Sequence, residues 1–93
     1  MAIVDCRTAS NVTDGIKVRN SSNVRVEGNT TTLNQDDGIL VRTATGVRLI
    51  GNTSTDNSGV GIKIADSPDT VLESNIASGN DSGNVVCEPD PCP

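Results

Sequence analysis

The sequence has no Phe, Tyr or Trp, no His and a single Met. Without aromatic rings the core must be built from Ile, Val and Leu, and sugar rings or bases have no flat side chain to stack on. Without His there is no imidazole to act as general base or metal ligand at neutral pH. The cysteines do not make up for it, because their spacing is wrong for a Cys-x-x-Cys zinc knuckle. No run is long and apolar enough for a membrane-spanning helix. The opening MAIVDCRTAS lacks the basic flank and long apolar stretch of a signal peptide. The chain therefore reads as a cytosolic protein, a mature domain given a new Met, or a segment of a larger protein. Positive charge is also scarce. The seven basic residues (Arg7, Lys17, Arg19, Arg25, Arg42, Arg48 and Lys63) occur singly, and the net charge is -5. That balance argues against nucleic acid and anionic membrane as partners.

With 93 residues, one domain is the ceiling. Only 33% of the residues are hydrophobic, a composition close to that of disordered chains. The regular placement of those residues overrules disorder. Three cysteines, Cys6, Cys87 and Cys92, leave at least one thiol unpaired within a monomer. Cys87 and Cys92 bracket EPDP and would staple the tail in an oxidising compartment. The plainer reading is a buried core thiol at Cys87 and two incidental ones.

What the chain does have is a repeat. GIKV (15–18), GILV (38–41) and GIKI (61–64) recur at intervals of 23 residues. The same offset aligns Val24, Val47 and Thr70, then Val26, Leu49 and Leu72, and it continues into NVVC (84–87). Two asparagine columns follow it: Asn29, Asn52 and Asn75, and Asn11, Asn34, Asn57 and Asn80. Within each repeat the period is two, with Ile16 and Val18 alternating with Lys17 and Arg19. This is a strand with one covered face. The β-branched runs and Asn-Gly-Ser-Thr turns leave no room for helices. A single unit is too short to bury its own apolar face, so the units must stack at roughly 4.8 Å per coil. In such a stack each inward Asn bonds backbone carbonyls and the Asn of the next coil, giving a ladder of amides. Glycosylation sequons at Asn11, Asn20, Asn29, Asn52 and Asn80 fall largely in these columns and read as by-products of composition.

The expected fold is all-β: a right-handed parallel β-helix over residues 1–86, about 23 residues per coil, with three full coils and partial end coils. A Pro- and acid-rich tail, residues 87–93, resists strand pairing at one end. The other end has no visible protector, which points to marginal monomer stability and end-to-end self-association. The pattern GIxVxxSxxVxVxGNxxxxN resembles the parallel β-helix repeats of carbohydrate-active enzymes and of periplasmic proteins of the copper-maturation NosD type. The resemblance runs from about Val12 to Val86 and implies an extracellular or periplasmic setting and polysaccharide as the class of partner. A copper role finds no support, because His is absent and Met1 is the only methionine.

One stretch invites a more specific reading. Thr13-Asp14-Gly15 followed by Gln35-Asp36-Asp37 resembles two motifs of the polygalacturonases, inverting glycoside hydrolases on the same fold. The resemblance makes Asp14, Asp36 and Asp37 a catalytic carboxylate trio. The family's next motif, Gly-His-Gly, is here Gly59-Val60-Gly61, and its Arg-Ile-Lys has no partner in register. Read as residues alone, Asp-Gly at 14–15 and 37–38 is a repeating turn, the carboxylate capping backbone N–H groups and the glycine taking positive φ. A Ca2+ site is the third use of such a trio, with further oxygens needed from carbonyls or water. The reading favours a non-catalytic β-helix module, structural or weakly carbohydrate-contacting, over a glycoside hydrolase, and needs no cofactor. Ice binding enters through the Thr30–Thr32 and Thr53–Thr55 arrays, which Ile76, Ala77 and Ser78 interrupt.

Overall fold

A computed structural model describes residues 2–88. It contains twelve short strands, three to a coil. The first coil supplies β1 (Ala2–Val4), β2 (Arg7–Ala9) and β3 (Ile16–Arg19), and the second β4 (Arg25–Glu27), β5 (Thr30–Thr32) and β6 (Ile39–Arg42). The third supplies β7 (Arg48–Ile50), β8 (Thr53–Thr55) and β9 (Ile62–Ala65), and the fourth β10 (Val71–Glu73), β11 (Ile76–Ser78) and β12 (Val85–Glu88). They form three parallel sheets: β1-β4-β7-β10 (sheet A), β11-β8-β5-β2 (sheet B) and β12-β9-β6-β3 (sheet C). Every pairing is offset by the sequence repeat: Val26 lies beside Leu49, Ile39 beside Ile62, and Val41 beside Ile64. The expected coil of 23 residues is thus the coil observed, and the segment before Gly15 completes a fourth turn.

The core runs up the middle as columns. Ile39, Val41, Val47, Leu49 and Ile62 are fully buried, and Ile3 and Leu72 pack on them from the two end coils. Cys87 is buried at one end of this cluster and is disulfide-bonded, not a free thiol as the plainer sequence reading has it. Cys6 is free and exposed. Cys92, like the rest of the acidic tail beyond Glu88, lies outside the described residues.

Both asparagine ladders form. The Asn11 amide nitrogen donates to Asn34 Oδ1 at 2.8 Å, Asn34 to Asn57 at 2.9 Å, and Asn57 to Asn80 at 2.8 Å. Each backbone N–H of the column donates to the same oxygen. Asn29, Asn52 and Asn75 repeat the arrangement, with Cys6 N–H donating to Asn29 Oδ1 at the bottom. Asparagine suits the position because it alone offers a short side chain with both an acceptor and two donors. Four of these asparagines (Asn29, Asn34, Asn52 and Asn57) are buried, so Asn29 and Asn52 are closed as sequons; Asn20 is exposed and outside both ladders.

The corners repeat in conformation more faithfully than in residue type. Asp5, Gly28, Gly51 and Ser74 occupy one column and all have positive φ; so do Ser10, Leu33, Asp56 and Gly79 in another. Leu33 and the β-branched Thr43 are held at φ 57° and 52°, a conformation unfavourable for such side chains. The chain tolerates this strain because the stacked coils on either side fix the corner.

Candidate functional site

Asp14, Asp36 and Asp37 come together where the chain enters sheet C. One carboxylate oxygen from each lies within 4.8 Å of the others. Asp14 and Asp37 share a column, while Asp36 is exposed beside them between Thr13 and Gly59. The trio that the sequence singles out is therefore a real cluster.

Its hydrogen bonds define what two of its members do. Asp14 Oδ1 accepts the backbone N–H of Asp37 at 3.0 Å, and Asp37 Oδ1 accepts that of Val60 at 2.7 Å. Each carboxylate caps the coil that follows it, not its own turn. Carboxylates have no donor, so the column can only accept, and it ends at Val60. Gly59 is required by this contact, because a Cβ there would lie 2.6 Å from Asp37 Oδ1 and 2.8 Å from the Asp36 carbonyl carbon.

The glycine half of the Asp-Gly pair corrects the sequence reading. Neither Gly15 nor Gly38 has positive φ. Gly38 is glycine because a Cβ would lie 2.7 Å from the ladder amide of Asn57 and 2.6 Å from Thr31 Oγ1. The entry to sheet C presses directly against the asparagine ladder, and only a hydrogen fits between them.

Asp37 is buried, and its pKa is raised above the usual 3.8. Burial is the main cause; the Val60 N–H opposes it, Asp36 and Asp14 add to it, and Lys63 partly offsets it. Ionised Asp37 is thus a less comfortable group than a free carboxylate, although its hydrogen bond favours the charge.

A second correction concerns the basic residues. Single in the sequence, they are stacked by the fold: Arg19 lies beside Arg42, Arg25 beside Arg48, and Lys17 and Lys63 flank Leu40. The outer face of sheet C consequently carries Lys17, Arg19, Arg42 and Lys63 next to the aspartates. Leu40 points outward among them yet is only 6% exposed, as expected where long basic side chains lay their stems on an apolar neighbour. Lys63 Nζ also reaches Glu88 at 3.5 Å. The signal for this face was present in the sequence, since the 23-residue offset that aligns the apolar positions aligns Arg19 with Arg42 as well.

On sheet B, Thr30 and Thr32 lie beside Thr53 and Thr55. The array ends there, flanked by Arg7 and Ala9 on one side and Ile76 and Ser78 on the other.

Three parallel sheets, stacked amide ladders and a side-chain cluster at a coil corner define a parallel β-solenoid with a polar site on its outer surface. Residues 1–90 match the family model described as right handed beta helix region, and the chain belongs to that family. No curated protein and no solved structure matches the chain.

Proposed function

We propose that the chain is a non-catalytic β-helix module, structural in its coils and weakly carbohydrate-contacting on the outer face of sheet C. The observation that carries the reading is the use of Asp14 and Asp37 as caps on the next coil's backbone. A role in holding coils together accounts for their repeat, the burial of Asp37 and the glycine that faces it. Sheet C supports contact with an acidic polysaccharide: Arg19 and Arg42 stand on adjacent coils of a parallel sheet, Lys17 and Lys63 flank Leu40 beside them, and there is no aromatic residue to grip a neutral sugar. Arginine pairs are well suited to carboxylates, which they engage through paired N–H donors. Affinity chromatography on immobilised polygalacturonate tests this, with a neutral glucan as control. Salt-sensitive retention that drops in Arg19→Ala/Arg42→Ala supports the module; equal behaviour on both polymers removes the carbohydrate part.

The second reading, glycoside hydrolysis, draws on the clustering of the three carboxyls and on the proton-holding environment of Asp37. In it, a buried protonated carboxyl donates to the leaving oxygen while a neighbouring carboxylate activates water. Asp36, exposed and outside the capping column, is the residue most available for such work. Reducing-sugar release from polygalacturonate that disappears in Asp36→Asn would establish this reading over the first.

A further inference from the structure

The repeat sets a second pair of arginines in line, on a different sheet from the cationic face of sheet C. The outward positions of sheet A read Ala2, Arg25, Arg48 and Val71 in one column and Val4, Glu27, Ile50 and Glu73 in the next. Arg25 and Arg48 thus stand on the two middle coils, with a small or apolar residue on either side of them. Like charges directly opposite each other in a sheet are destabilising. Packing therefore gives no reason for the second arginine.

The neighbouring acids do not account for the pair either. Glu27 comes no nearer to Arg25 Nη1 than 3.9 Å, beyond hydrogen-bond range, and both side chains are open to solvent. Where Arg25 has Glu27 beside it, Arg48 has Ile50. Among the described residues the Arg48 guanidinium makes no ion pair, with Glu73 or with any other acid. Asp69, at the nearby corner, accepts the Gly46 N–H at 3.2 Å through Oδ2. Against the two arginines lies a hollow of about 210 Å3, lined by Asn23, Val24, Arg25, Gly46 and Arg48. It falls below the ~300 Å3 at which pockets for larger organic ligands begin.

We propose that this hollow binds a single phosphate group between Arg25 and Arg48. Two permanent positive charges match the nearly double negative charge of a phosphate monoester at neutral pH. Each guanidinium presents its N–H donors as a fork that two phosphate oxygens satisfy at once. A lone carboxylate has half the charge and only two oxygens, so it would serve one arginine and leave the other as it is. With no aromatic residue in the chain, nothing here stacks on a base or a sugar ring, and recognition rests on the charged group itself.

Titration of the isotope-labelled full chain with inorganic phosphate, glycerol phosphate and acetate, followed by NMR at constant ionic strength, tests the proposal. Saturable shifts are expected at the amides of residues 23–25 and 46–48 with both phosphates and not with acetate. Arg48→Gln should weaken binding by about tenfold or more, the loss of a charge-assisted hydrogen bond. Arg48→Lys keeps the charge but not the fork and should fall between the two. Arg48 is exposed, so circular dichroism and the melting curve of both variants should match wild type. Glycerol phosphate should bind more tightly at pH 7 than at pH 5, on either side of its second ionisation near about 6. Tighter binding of the ester than of the free ion would assign the group to a small phosphorylated molecule; equal binding would assign the site to free phosphate. No saturable shift, shifts of the same size around Arg19 and Arg42, an equal response to acetate, binding unchanged in Arg48→Gln, or equal binding at the two pH values would each overturn the site.

Discussion

Two polar columns rise through this molecule a few residues apart, and they are built on opposite logic. The asparagine column donates from each coil to the side chain of the coil after it, and every member can continue the chain of bonds. The aspartate column runs the other way, with each carboxylate accepting from the following coil's backbone. Because an amide both gives and receives, the asparagine ladder extends without accumulating charge. Stacked carboxylates accumulate charge at every step. That difference explains why asparagine recurs through all four coils, whereas the aspartate column has two members and then gives way to Val60.

The largest effect should come from breaking the amide column at its centre. Asn57→Ala leaves the N–H and amide donors of Asn34 without their acceptor in a buried place. It should cost on the order of 3 kcal/mol or more in urea unfolding, since each buried unsatisfied group costs about 1–3 kcal/mol. Asn11→Ala, at the exposed end of the same column, should cost less than about 1 kcal/mol. Equal losses at the two positions would mean that burial does not set the strength of the ladder.

Gly59→Ala is next. The new methyl meets Asp37 Oδ1 and the Asp36 backbone, and the overpacking should cost roughly 1–3 kcal/mol. Because the clash falls on the aspartate cap, Asp37→Gly/Gly59→Ala should lose less than the sum of the two single changes in a double-mutant cycle.

The charge on the aspartate column gives a pH signature. Asp37 is raised in the fold, so its contribution is fully present below 3.8 and is lost as pH rises from there through the folded value. Asp37→Asn keeps an oxygen for Val60 N–H and carries no charge. The melting temperature of the variant relative to wild type should therefore rise from pH 3.5 to pH 7, values set to span the usual aspartate range of about 3.5–4. A difference that stays flat or falls with pH would show that the ionised form is the favoured one.

Thr43→Asn should produce the smallest effect, and in the opposite direction. Asparagine tolerates the left-handed corner that threonine occupies under strain, so a gain of roughly 0.5–1 kcal/mol is expected by chemical denaturation.

Much of the fold is legible in the sequence because its period is written in side chains that must face inward. Alternation at Ile16-Lys17-Val18-Arg19 marks a strand, and the offset from Asn34 to Asn57 to Asn80 sets the coil. The site is only half legible. Asp14 and Asp37 can be placed in one column from their spacing, but whom a carboxylate bonds depends on where the neighbouring coil's amides point. Gly38 shows the same limit: a glycine after aspartate looks like a turn, and its true cause is an amide from another coil. Leu33 and Thr43 carry no local sign of the corners they occupy, because the strain is imposed by coils above and below. The cationic face of sheet C was readable in principle, since Arg19 and Arg42 share the offset that aligns the core, yet single charges scattered along a chain do not look like a patch until they are stacked.

The most direct test of a structural, non-catalytic role for the aspartates is incubation of the purified chain with polygalacturonate and related acidic polymers across pH 4 to 8, values that bracket ordinary carboxylate titration at about 4 and neutral pH. The capping account predicts no release of reducing ends at any pH in that range. Release that is abolished by Asp36→Asn, with the fold of the variant intact, would contradict it.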